Sequence, residues 1–215
     1  MATLTIGVNA TSIHQCPPHW QQYINKTFNF SFCFPRQAQL KDHFLSGYFI
    51  SKAWTVMNNS RVLSVGQHQV TSVNLINVDT SRHQLPATDS FLAKFIHKRQ
   101  IQPSSFYYLK AAVHVGVSSS QHDVRQCYHP SAAQDKPIMR RINGRVFYVF
   151  KRHEVGMSQY LTANSYRYRT SHYCYAIEYI EIGGGVFDAL GDMAPVSKFY
   201  ANEAQQIIST LYFYK

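Results

Sequence analysis

Residues 28–35 read Phe28-Asn29-Phe30-Ser31-Phe32-Cys33-Phe34-Pro35. Phenylalanine at every second position puts all four rings on one face of an extended chain, with small polar residues on the other. This period predicts a half-buried β-strand, and Pro35 stops it because proline cannot donate to a sheet ladder. Cys33 then points away from the phenylalanine face, where a tethered segment can reach it. Upstream, residues 1–20 are aperiodic and run through Cys16-Pro17-Pro18. Residues 1–22 therefore read as an arm needing a tether, and residues 23–215 as one domain.

Working outward, residues 47–57, 61–66 and 69–79 read as strands joined by short turns such as Asn58-Asn59-Ser60. Successive strands with short turns predict an antiparallel meander. Thr88 is a cap for a helix over 89–100, with Phe91, Leu92, Phe95 and Ile96 on one face. Residues 106–117 give another strand. Residues 118–137 are polar and carry Cys127, a long loop with room for a short helix. Asn143-Gly144 is the strongest hairpin signal, because a type I′ turn needs positive φ at both central residues. It leads into the alternating, aromatic 146–151. Residues 154–165 read as a loop, 166–182 as a long strand or strand pair, and Gly183-Gly184-Gly185 as a flexible turn ending it. That glycine run has neither the Gly-Lys-Ser/Thr finish nor the GxGxxG spacing of phosphate loops. Tyr200, Ala204, Ile207, Ile208 and Leu211 recur at helical spacing, an amphipathic C-terminal helix packed on the sheet. The order predicts an α+β domain with a mostly antiparallel central sheet of about six to seven strands flanked by helices.

The chain has 215 residues, of which 45% are hydrophobic and 14% aromatic, enough for a real core and against wholesale disorder. Lys plus Arg is 21 and Asp plus Glu 11, a formal +10. That balance suits anionic partners such as nucleic acid, lipopolysaccharide, acidic lipids or polysaccharide, and leaves an anionic surface or a protein as the partner. The basic residues are dispersed, in groups such as Arg140-Arg141 followed by Arg145, Lys151 and Arg152, and no run of five occurs. A nucleic-acid tail is not expected. No apolar run reaches the length of a membrane span. The N-terminus has neither the basic n-region nor the h-region of a signal peptide. Two placements follow: cytosolic, or exported with the signal already removed.

Four cysteines, Cys16, Cys33, Cys127 and Cys174, allow three pairings, and proximity in the chain favours Cys16–Cys33 and Cys127–Cys174. Two disulfides would place the protein in an oxidising compartment. The competing reading is metal, from His14, Cys16 and His19 or from His122, Asp123, Cys127 and His129. Neither set has Cys-x-x-Cys knuckles or His-Glu-x-x-His spacing, so no metal and no cofactor is implied.

A resemblance appears in two stretches. Tyr23-Ile-Asn-Lys-Thr-Phe28-Asn-Phe30-Ser-Phe32-Cys-Phe34-Pro35 is similar to the opening strand of the PsbP-like and Mog1-like fold, and Ala201–Phe213 is similar to its closing helix. The middle resembles a set of exported bacterial proteins of this shape. Here the carrying segments are Val113–Ser118, Asp123–Cys127, Ile142–Phe150 and Tyr166–Ile177. The resemblance implies an antiparallel sheet sandwiched by helices, and a Cys127–Cys174 pair. It carries no catalytic constellation.

The leading expectation is a non-enzymatic, exported protein (periplasmic, surface or secreted) that acts by binding. The alternatives are a secreted hydrolase using His153-Glu154 or His172 with Ser171 or Ser158, and a Mog1-like cytosolic adaptor with free thiols. A glycosidase or nuclease needs converging carboxylates. Glu178 and Glu181, three apart in an extended segment, point to opposite faces and are expected as surface charges. The candidate binding residues are Arg140, Arg141, Arg145, Lys151 and Arg152, with Arg167 and Arg169 on one solvent-facing side of a strand whose other side carries Tyr166 and Tyr168.

Overall fold

The structure is a computed structural model that describes residues 15–41, 69–79, 107–129, 136–156, 159–185 and 187–214. The strands expected at 47–57 and 61–66, the helix expected at 89–100 and the first fourteen residues lie outside the described residues. Two antiparallel sheets and two helices make up the rest.

The phenylalanine stretch forms the centre of the smaller sheet. Strand β1 (Trp20–Asn25) turns back through residues 26–29 into β2 (Phe30–Pro35), and β10 (Tyr212–Phe213) pairs with the other side of β2. The Asn25 side chain accepts the Phe28 N–H at 2.9 Å, and Asn29 takes φ 53°, so Phe28 sits in the turn and not in the strand. Phe30, Phe32 and Phe34 face the core as expected. The opposite side of β2 is not solvated: Ser31 and Cys33 are fully buried. Two causes are visible. Cys33 is bonded to Cys16, and Thr210 Oγ1 accepts the Cys33 N–H at 2.8 Å. Strand β1 starts at Trp20, within the stretch read as an arm.

The larger sheet has seven strands in the order β3-β4-β5-β9-β8-β7-β6. Its members are β3 (Gln39–Lys41), β4 (Gln69–Asp79), β5 (Tyr107–Ser118), β6 (Ile138–Ile142), β7 (Arg145–Gly156), β8 (Gln159–Arg169) and β9 (Cys174–Gly185). Every neighbouring pair is antiparallel. A mostly antiparallel sheet with helices is as expected, but the strands are divided differently: the phenylalanine strand belongs to a separate three-stranded sheet. Two stretches differ. Residues 159–165, expected as loop, are the first half of β8, paired on both sides with β7 and β9. The triple glycine is not a flexible turn but the last three paired residues of β9, with Gly183 opposite Leu109 and Tyr160, and Gly184 opposite Tyr108 and Gln159. Glycine is required there by close approach, since a Cβ at Gly183 would overlap the Tyr160 ring.

One face of the larger sheet carries Val113, Val115, Phe147, Val149, Tyr166, Ile177 and Tyr179. Helix α2 (Phe187–Ser209) covers it with Tyr200, Ala204, Ile207 and Ile208, the stripe expected from the sequence. Glu181 fastens the helix to the sheet. Its carboxylate accepts hydrogen bonds from Ser197 at 2.6 Å, from Tyr160 at 2.7 Å and from Tyr179. Phe213 of β10 packs on Phe147, Tyr168 and Tyr175, which places the small sheet on the same face. On the other face lies helix α1 (Gln121–Arg125), a single turn in the long polar segment. Ser118 donates to its Asp123 at 2.7 Å, and the Cys127–Cys174 disulfide holds the segment to β9.

Candidate functional site

The site begins with the Asn143-Gly144 turn. Both residues have positive φ, 44° and 79°, as a type I′ turn requires. Asn143 does more than turn the chain. Its side-chain amide donates to the Ser209 carbonyl at 3.1 Å and to the Leu211 carbonyl at 2.7 Å. These carbonyls belong to the end of α2 and to the residues just after it, where orphan acceptors need donors. The β6–β7 hairpin is thereby pinned to the C-terminal end of the helix. A second tie lies further along, where the Tyr166 hydroxyl donates to Gln205 Oε1 of α2 at 2.8 Å.

Beside this second tie the helix and the outer strands leave a groove of about 420 Å³. Its lining is Ile138, Arg140, Arg141, Ile142, Val149, Lys151, Asn164, Tyr166 and Gln205. Arg140, Arg141 and Lys151 are exposed, and among the described residues no carboxylate pairs with any of them. Burial raises the Tyr166 phenol above its ordinary value, and the Arg140 charge and the Gln205 hydrogen bond oppose that rise. The phenol therefore stays neutral near pH 7. The groove presents cations, a hydroxyl and two amide side chains, a set suited to an anionic group.

The seven basic residues expected to form one surface divide four ways. Arg140, Arg141 and Lys151 all border the groove, Arg140 and Lys151 from the helix-covered face of the sheet and Arg141 from the next position of β6, on the alternate face. Arg145 lies at the hairpin turn, its guanidinium 5.7 Å from the Tyr168 ring centre. Arg152 and Arg169 belong to the opposite face of the sheet, where Arg169 stacks over Tyr128 at 5.0 Å. Arg167 is the correction: it is fully buried and cannot contact a partner. It does share a face with Arg169, as the two-residue period requires, but that face is covered at Arg167. Its guanidinium meets Glu178 at 3.0 Å and donates to Ser165 at 2.7 Å, and Ser165 donates to the same carboxylate oxygen at 2.7 Å. Burial lowers the Arg167 value and raises that of Glu178, while the contact between the two opposes both shifts.

Glu178 and Glu181 do point to opposite faces, yet both are buried, which corrects the expectation of surface charges. One signal for Glu178 was available. Its same-face neighbours Cys174, Ala176, Ile180 and Ile182 are all apolar, and such a row is not a solvated one. Gln205 gave no signal, since only the third dimension brings it over Tyr166.

Neither histidine-rich cluster keeps a thiolate, because Cys16 and Cys127 are both in disulfides. Ser171 and His172 are hydrogen-bonded at 2.7 Å, but both sit in an exposed turn, and among the described residues no carboxylate orients the imidazole. His153 Nδ1 meets Thr162 at 2.9 Å. No helix among the described residues is long and apolar enough to cross a membrane.

Neither a protein-family model nor a curated protein matches the chain. Among solved structures, a protein of Bacteroides thetaiotaomicron is similar at 13% identity and a TM-score of 0.41, over 92% of this chain and 49% of that one. The chain thus spans about half the length of that neighbour. Cyanobacterial PsbP (CyanoP) from Synechocystis is similar at 10% identity and a TM-score of 0.36, over 97% of this chain and 100% of that one. Neither likeness assigns the chain to a family.

Proposed function

We propose that this is an exported, non-enzymatic protein that binds an anionic partner through the groove between α2 and strands β6–β8. The observation that carries the reading is the grouping of Arg140, Arg141 and Lys151 at one groove, without a carboxylate partner among the described residues. Like charges that border one groove repel one another, and an anion there offsets that repulsion. The two disulfides support an oxidising compartment, and hence export. Because all four cysteines are paired, a cytosolic adaptor with free thiols loses its support. The layered domain is proposed as PsbP-like or Mog1-like, with residues 23–215 as its extent.

Retention on immobilised heparin tests the groove. The Arg140→Glu/Lys151→Glu variant is expected to elute at clearly lower salt than the parent. Arg36→Glu/Arg125→Glu makes the same change in net charge at exposed positions away from the groove and is the control. Equal losses in the two variants would mean that total charge, and not this groove, holds the polyanion.

A further inference from the structure

Among the described residues, strand β6 is the outermost strand at one side of the seven-stranded sheet, and it borders the groove. Ile138, Met139, Arg140 and Arg141 are all exposed, Met139 to 65%. Open sheet edges are templates for another strand. The hairpin fixes which backbone groups are open. A two-residue turn makes Ile142 and Arg145 a hydrogen-bonded pair, so the pairs Arg140–Phe147 and Ile138–Val149 also exchange hydrogen bonds. Met139 and Arg141 alternate with them. Their N–H and C=O groups therefore turn away from β7, toward the edge that no described strand pairs.

We infer that β6 receives an extended, acidic peptide segment of another protein as an added strand, with its carboxylates against the arginines and at the mouth of the groove. The inference rests on the anion-binding reading of that groove and names the partner's chemistry. Cross-strand neighbours lie about 5 Å apart, where opposite charges attract. On the groove face an added strand meets Ile138 and Arg140, and on the other face Met139 and Arg141. Each face thus offers one apolar and one cationic contact, which suits a segment mixing carboxylates with apolar or small residues. Main-chain pairing supplies affinity, and the arginines supply selection for acidic segments. A second copy of this chain fits poorly, because self-pairing gathers Arg140 and Arg141 of both copies along one seam. A polyanion without amides uses the groove but leaves the Met139 and Arg141 backbone groups to water.

The test measures binding of a short capped peptide alternating Glu and Thr, beside the same peptide N-methylated at every second amide and beside heparin. The methylated peptide, made in both alternating patterns, keeps its charge and loses the ability to pair on one edge or the other. At least one pattern is expected to weaken binding by about tenfold or more, the equivalent of one or two backbone hydrogen bonds. Met139→Pro removes an edge-facing N–H without touching the β6–β7 ladder, and is expected to weaken the peptide similarly while leaving heparin elution unchanged. If that variant does not fold, the methylated peptides against the parent protein decide. Equal binding of all three peptides overturns the added strand while the anion groove stands. Charge reversal at Arg140 and Lys151 that moves neither peptide nor heparin overturns both readings. A parent dimer in sedimentation that dissociates on Met139→Pro makes a second copy the occupant and also overturns the proposal.

Discussion

His114 shows how one buried side chain sets a pH response. It lies on β5 opposite Glu178 of β9 and is fully buried. Burial disfavours the imidazolium and holds its pKa down at about 3. In the unfolded chain the ordinary value is about 6.5. Between those values the unfolded state binds a proton that the folded state refuses, so stability present above pH ~6.5 falls as the pH drops, by up to about 1.4 kcal/mol per unit. Glu178 acts with the opposite sign. Its raised value means that the folded state keeps a proton longer than the unfolded one, so its contribution is lost as pH rises through the carboxylate range. Urea denaturation at a series of pH values separates the two. The parent is expected to lose stability more steeply than His114→Leu between about pH 6 and 4. Parallel profiles for the two proteins would remove His114 as the source.

At the level of elements, the hairpin carrying the site is held by a side chain that the turn itself requires. Asn143 supplies the positive φ of the turn and the two donors to the end of α2. Asn143→Gly keeps the conformational freedom and removes only the donors. It is expected to cost about 1–2 kcal/mol in chemical denaturation, the range for one or two hydrogen bonds, and to lower heparin retention as the groove loosens. A glycine variant as stable as the parent, with the same retention, would show that the ties contribute nothing. The turn was legible because Asn-Gly has a local, steric reason to be there. Strand β2 was legible because four phenylalanines repeat at the strand period. The first half of β8 was not: Tyr160, Thr162 and Asn164 alternate with Leu161 and Ala163, a weak pattern that counts only once β7 and β9 flank it. The triple glycine was misread for a related reason. Local rules make it a turn, while Tyr160, from another strand, makes it a place where a side chain cannot fit. Of the basic cluster, the neighbours near the hairpin were legible from chain proximity. The burial of Arg167 was not, because it depends on what covers the far face of the sheet.

Across the whole molecule, two disulfides tie peripheral segments to different sheets. Cys16–Cys33 holds the chain ahead of β1 to the small sheet, across 17 residues of sequence. Cys127–Cys174 holds α1 to the large sheet, across 47. Cross-linking stabilises chiefly by restricting the unfolded chain, and the longer loop restricts it more: about 3 kcal/mol for the first bridge and about 4 for the second. Cys16→Ala/Cys33→Ala and Cys127→Ala/Cys174→Ala, compared by denaturation, are expected to fall in that order of cost. Cys33, Cys127 and Cys174 are fully buried, so alanine also leaves small voids, two in the second pair and one in the first. The voids push in the same direction as the loop lengths. A first pair that costs more than the second would therefore contradict both terms, and would mean that the Cys16 tether stabilises by ordering the exposed edge at β1 and not by chain entropy. Reductant is expected to lower the melting temperature of the parent and to leave a variant lacking both bridges unmoved. Alkylation of protein prepared without reductant, read by intact mass, checks the premise: free thiols would remove the oxidising compartment and, with it, the argument for export.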